Sequence, residues 1–228
     1  MAAGPLLNHN LKYKKMGILR GGPFGIIYGK VGNLIGYNNG GRQGFRKIPA
    51  KSSKLPTAAQ LEQRMRLALV VMFLSPLKSI VSKGFGNKLG KRSQMAQCVS
   101  YHTKHAVIGK FPDLEINYSN VLLTKGRLYK ADNVEVFSST VACLNITWSE
   151  RIPCGISGPN DEAMLVAYNH SKHKYEFLRT TSDRASQCAT LNLPIEFSGD
   201  RVHCWMLFIS PNGKEFSPST YIGSVAVA

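Results

Sequence analysis

No aspartate or glutamate occurs before Glu62. Ten cations stand in that tract: Lys12, Lys14, Lys15, Arg20, Lys30, Arg42, Arg46, Lys47, Lys51 and Lys54. No carboxylate side chain within the tract can neutralise them, so whatever the tract folds into leaves a cationic surface for an anionic partner. The asymmetry runs through the whole chain. Residues 1–112 hold 19 Lys/Arg and one acid, a net +18, and residues 113–228 hold 10 basic and 12 acidic residues, a net −2. Charge alone therefore divides the chain into two parts.

The acid-free tract is also rich in glycine. Ile26 to Arg46 reads IIYGKVGNLIGYNNGGRQGFR, with six glycines set among aromatic, aliphatic and basic residues. It lacks G-x-x-x-x-G-K-[ST] and has no strand–turn–helix pattern, which argues against a phosphate-binding loop. Gly29, Gly32, Gly36 and Gly44 read instead as places for a bulge or a close backbone approach. Two short strands joined at Asn38-Asn39-Gly40-Gly41 are expected, since Asn-Gly favours a hairpin turn. One hairpin is not stable alone. This ribbon must lie on the rest of the chain or on a neighbour.

Helix signals follow. Thr57 and Gln60 form a capping-box pattern, and Leu61, Met65, Ala68 and Met72 recur at helical spacing as an apolar stripe, widened by Leu67, Val70, Val71 and Leu74. Ser75-Pro76 should end or kink this helix. A short second helix is expected to stop at Gly84, and a weaker third lies within Ser93 to Val107. From Thr140 the rhythm becomes that of strands: TVACLNITWSE, EAMLVAYN, KYEFLRT, QCATLNLP, RVHCWMLFIS and STYIGSVAVA, most with turn residues between them. Strands at this spacing predict an antiparallel sandwich. The fold class expected is α+β, with a basic arm and β-hairpin over 1–55, a helical region over 56–112 and a β-sandwich over 113–228 whose core is 140–228.

LNITWSE, DEAMLVAYN and RVHCWMLFISPNGKEFSPSTYIGSVAV resemble the second strand with its core tryptophan, the third strand and the final hairpin of an immunoglobulin-like or fibronectin type III domain. That fold hosts many roles and implies no particular one. Over most of its length the chain also resembles a family of Bacteroidota proteins with no assigned activity. The matching blocks, in order, are MGILRGGPFGIIYGKVGNLIGY, GRQGFRKIPAKSSKLPTAAQLEQR, FLSPLKSIVSKGFG, SNVLLTKGRL and SPSTYIGSV. Met1 to Lys15 precede the usual opening of that family. The layout of glycine-rich ribbon, capped helix and Ig-like tail is similar, more loosely, to phage virion proteins.

Chemistry-bearing residues are sparse. No nucleophile–base–acid set assembles from the spacing, and Asp161-Glu162 would point to opposite faces of a strand. A non-enzymatic protein is expected. His102 and His105, with Cys98 four residues before the first, and His170 and His173 form two H-x-x-H pairs, but no fourth ligand completes a zinc site, so neither metal nor cofactor is expected. Cys98, Cys143, Cys154, Cys188 and Cys204 form no C-x-x-C pair and read as reduced thiols. No apolar segment reads as a signal peptide or a membrane span, so a cytoplasmic product without membrane insertion is expected, within a cytoplasmic assembly or a viral particle.

Two functions follow as expectations. One is a structural subunit, a homo-oligomer or larger assembly, whose N-terminal ribbon pairs with neighbours. The alternative is a nucleic-acid-binding or packaging protein. In either, the contact set is the ten cations named above with Tyr28, Tyr37 and Phe45, because cations meet phosphates and aromatic faces meet bases.

Overall fold

The structure, a computed structural model, describes residues 18–20, 25–39, 42–50, 54–86, 92–149 and 155–228. The chain divides into two compact units, Met1–Leu55 and Pro56–Ala228.

The first unit is a four-stranded antiparallel sheet in the order β1 (Ile18–Arg20), β2 (Ile26–Val31), β3 (Leu34–Asn39), β4 (Arg42–Lys47). Two strands precede the pair that the Asn-Gly signal marks. Asn39 and Arg42 pair across β3 and β4, and the turn residues between them lie outside the described residues. Two glycines have defined work. A Cβ on Gly36 would come within 2.2 Å of the Ile27 carbonyl oxygen, and one on Gly44 within 2.8 Å of the Tyr37 hydroxyl. Both sites need the missing side chain so that a neighbour can approach. Cross-strand register places Lys30, Ile35 and Arg46 in one row with Tyr37 beyond it, and Val31, Leu34 and Lys47 in a row on the opposite face with Phe45 beyond it. Each face thus mixes apolar and cationic side chains, and Gly36 alone is buried among the residues of this unit whose burial is described.

The second unit begins with helices. Thr57 caps α1 (Ala58–Leu74) through the full capping box: its hydroxyl accepts from the Gln60 amide, and its own amide donates to the Gln60 side chain at 3.1 Å. Ser75 ends α1, and α2 (Lys78–Gly84) leaves at 94° to it. Ser93 caps α3 (Gln94–His105). Within the apolar stripe, Leu61, Met65 and Met72 face solvent, and Val70 and Leu74, with Phe73, form the buried side of α1. Residues 67–74 are apolar all round the helix, so periodicity could not choose between faces.

After a hairpin of β5 (Val107–Lys110) and β6 (Asp113–Ile116), seven strands form two sheets. β7 (Asp132–Phe137), β8 (Cys143–Ser149) and β11 (Cys188–Asn192) make the three-stranded sheet, ordered β11-β8-β7. The other is β10-β9-β12-β13, from β9 (Glu162–Asn169), β10 (Lys174–Asp183), β12 (Arg201–Ile209) and β13 (Thr220–Ala226). All pairings are antiparallel. Three strands against four is the immunoglobulin-like, fibronectin III-like arrangement. The sandwich starts one strand before the expected core at residue 140, because β7 is acidic and only half-buried on alternate residues.

The unit has three layers. Alternate residues of β9 and β12 (Leu165, Ala167, Cys204, Met206 and Phe208) point into the sandwich against Leu144, Ile146 and Trp148. Their neighbours (Met164, Val166, Trp205 and Leu207) point the other way, into a second core with Val70, Phe73, Leu77 and Val81 of the helical region. Residues 56–112 therefore share a core with the sandwich and do not form a separate region. Among the described residues no single helix is long and apolar enough to cross a membrane.

Candidate functional site

The outer face of the four-stranded sheet carries an aromatic pocket of about 520 Å³. α1 supplies one wall with Leu69, Met72 and Phe73, and β6 a second with Leu114 and Ile116. The polar wall comes from Tyr118, on a single 3-10 turn, and from β9, β10, β12 and the turn after β9. Hydrogen bonds fix these rings in pairs. Tyr118 is bonded to His170 at 2.7 Å, Tyr168 to His173 at 3.1 Å, and His203 to Tyr221 at 2.8 Å. Tyr118 stacks on His203 with centroids 3.8 Å apart, and Tyr175 donates to the Phe73 carbonyl at 2.9 Å.

Burial holds Tyr118, Tyr168 and Tyr175 above the usual phenol range, so all three stay protonated at neutral pH. Burial also lowers His203, with His170 and Arg201 acting in the same direction. The lining thus sets neutral phenols beside aliphatic walls, an arrangement suited to holding an aromatic or aliphatic group. Arg201 and Glu115 also line the pocket.

The two H-x-x-H pairs have separate fates. His102 is a core histidine: Nδ1 donates to the Cys98 carbonyl at 2.8 Å and Nε2 accepts from the Leu122 amide at 3.2 Å. Both nitrogens are thereby used. His105 is exposed and packs on Tyr101. His170 and His173 sit in the turn between β9 and β10, with ring centroids 5.8 Å apart. Among the described residues no group of three His, Cys, Asp or Glu is placed to hold a metal. Burial pushes the Cys98 and Cys204 thiols up to about 12, and Cys98, Cys143, Cys188 and Cys204 are all unpaired. Cys154 lies outside the described residues.

His102 gives a pH dependence. Burial lowers its pKa below 6.5, outweighing the bond to the Cys98 carbonyl, which raises it. Below pH 6.5 the unfolded chain then binds more protons than the folded one, so this stability is full above that pH and is lost as the pH falls through it. The slope reaches at most about 1.4 kcal/mol per pH unit. Urea midpoints should fall between pH 7.5 and 5.5, and a flat profile would contradict the assignment.

The expected contact residues are distributed as follows. Lys30, Arg46 and Lys47 are exposed on the first sheet beside Tyr28, Tyr37 and Phe45. Arg20 ends β1 and Arg42 opens β4, while Lys54 is an exposed residue just before the boundary. Lys12, Lys14, Lys15 and Lys51 lie outside the described residues. The aromatic pocket was not anticipated. Its signal lay in Tyr168 and His203, which interrupt otherwise apolar runs on the covered outer face of β9 and β12.

A scan against protein-family models matches residues 26–223 to a family of unknown function (DUF6266). The chain belongs to that family. The DUF6266 match spans both units, so sheet, helices and sandwich occur together in it. A search of the curated proteins returns no match. Among solved structures, the chain is similar to the fn3 domain of human collagen alpha-1(XX), at 14% identity, 46% of this chain, 90% of that one and a TM-score of 0.34. It is similar also to the fn3 domain of human contactin 1, at 11% identity, 53% and 93% coverage and a TM-score of 0.30. Domains d3–d4 of rat CD45 match at 9% identity, 84% and 97% coverage and a TM-score of 0.29. Scores this low carry no argument, and the sandwich assignment stands on strand order.

Proposed function

We propose that this protein is a structural subunit that assembles with further copies of itself, its N-terminal sheet lying against a neighbour. One observation carries the reading: the sheet exposes large apolar side chains on both faces. Tyr37 on one face is 41% exposed, and Phe45, Leu34 and Val31 on the other are 56%, 45% and 47% exposed. A sheet of four strands needs at least one covered apolar face to be stable, and among the residues of this one whose burial is described only Gly36 is buried. β4 is also an edge strand, open to pairing. The exposed Leu61, Met65 and Met72 of α1 add a further apolar surface. The looser layout likeness to phage virion proteins favours a particle over a simple dimer.

Light scattering on the full chain and on a chain lacking residues 1–55 tests this. The full chain should run as a multimer, and the truncated one as a folded monomer. Equal mass and equal stability would reject the reading. In a second reading, nucleic-acid packaging, the exposed Lys30, Arg46 and Lys47 beside Tyr37 and Phe45 supply phosphate and base contacts.

A further inference from the structure

The second unit carries a concentration of charge that the acid-free N-terminal tract does not contain. Lys83 at the end of α2, Arg92 before α3, Lys104 in its last turn, Lys125 and Arg127 on the loop before β7, and Lys214 in the β12–β13 hairpin line one open cavity of about 660 Å³. Glu215 is the only acid in its wall among the described residues. Five other cations of this unit are paired with acids. Arg66 meets Glu62, Lys172 meets Asp200, Lys174 meets Glu196, Arg179 meets Glu162 and Arg184 meets Asp161. None of the six groove cations has an acidic partner among the described residues. Their mutual repulsion is a standing cost that a bound polyanion would remove.

The floor is rigid where it has to be. The Lys125 amide donates to the Gly84 carbonyl at 2.8 Å, and the Leu128 amide to the Phe216 carbonyl at 3.1 Å. A Cβ on Gly126 would come within 1.8 Å of the Phe216 carbonyl oxygen, and one on Gly84 within 2.5 Å of Thr124. Three segments far apart in sequence, 73–86, 119–128 and 217–225, are locked together beneath or beside the groove. In the wall, Tyr101 and the exposed His105 lie with ring centroids 4.8 Å apart and offer π-faces next to the cations.

We propose that this groove is a binding site for single-stranded nucleic acid, with the six cations on successive phosphates and Tyr101 and His105 on a base. Cations from five separate places in the fold suit a polymer running through an open channel, and adjacent aromatic faces favour unpaired bases over a duplex. The inference rests on the nucleic-acid reading above and moves the contact from the N-terminal sheet to the second unit.

Fluorescence anisotropy of labelled dT20 and U20 on the full chain, across a salt series, tests it. Changing Lys125 and Arg127 to Ala, or in a second variant Lys104 and Lys214, should weaken binding at least about tenfold. Each should also flatten the log–log salt slope by about 0.7 per lost phosphate contact. Tyr101→Ala should weaken binding with the slope unchanged. Urea midpoints of every variant verify folding, and all four cations are exposed. If the groove variants bind as the parent does while changing Arg42, Arg46 and Lys47 to Ala abolishes binding, the groove is overturned and the nucleic-acid reading stands. No binding at low salt overturns both. Polyglutamate that displaces the oligonucleotide at equal charge concentration, with Tyr101→Ala silent, overturns nucleic acid in favour of an acidic protein surface.

Discussion

Replacing Trp205 by Ala is expected to destabilise the second unit by about 3–5 kcal/mol, the range for truncating a buried aromatic residue. Trp205 is completely buried and lies on the outer face of β12, in the core between helices and sheet. Its ring contacts four others: Tyr221 at 5.4 Å between centroids, Tyr118 at 6.3 Å, His203 at 6.4 Å and Phe73 at 6.5 Å. Of these, Phe73 belongs to α1 and Tyr118 to the 3-10 turn, so the indole joins the helical layer to the sheet. Truncation should therefore loosen the aromatic pocket as well as lower the urea midpoint. Its Nε1 has no hydrogen-bond partner among the described residues, a penalty the native state already bears. Trp205→Phe removes that orphan N–H and keeps most of the ring, and should cost well under half as much as the Ala variant. Equal losses for Phe and Ala would show that the indole's packing is not what joins the layers.

The same residue shows what the sequence revealed and what it concealed. Turn chemistry and alternation placed the sandwich strands: EAMLVAYN is β9 to the residue, and CLNITWS shows buried and half-buried residues in strict alternation, as a strand with one covered face should. RVHCWMLFI does not alternate. Near-continuous apolar character is the mark of a strand covered on both faces, so that run held the information that a third layer exists. Which element supplies the layer was not legible. Leu67 to Leu74 is apolar in every direction, and only the tertiary contacts of Phe73 and Leu74 select its buried side. The groove was hidden for a different reason. Lys83, Lys104, Lys125 and Lys214 are spread over some 130 positions, and nothing in linear charge density marks them beside the denser N-terminal tract. The aromatic pocket likewise depends on Tyr118, which lies 50 residues before Tyr168.

Breaking the Arg184–Asp161 pair is the second large effect. Both side chains are nearly inaccessible, at 2% and 3%. The guanidinium donates to Asp161 at 3.2 Å and to the Tyr129 carbonyl at 2.9 Å, and lies 3.8 Å over the Phe208 ring. Burial lowers the Arg184 pKa, and Asp161 opposes that shift, which is the electrostatic signature of a cation kept in the interior by its partner. The backbone closes the same knot: the Arg184 amide donates to the Asp161 carbonyl at 2.8 Å, and the Trp148 indole donates to the Arg184 carbonyl at 3.0 Å. Arg184→Met should cost about 3–5 kcal/mol, because it leaves a carboxylate buried without its cation. Asp161→Asn should cost less, since an amide still accepts from the Gly158 amide that now donates to Asp161 at 3.1 Å. In the double variant no buried charge remains, and the loss should be smaller than the sum of the two single losses by more than about 1 kcal/mol. Strict additivity in urea unfolding would mean that the two charges do not sense each other. Arg184 would then owe its burial to the Phe208 ring and the Tyr129 carbonyl alone.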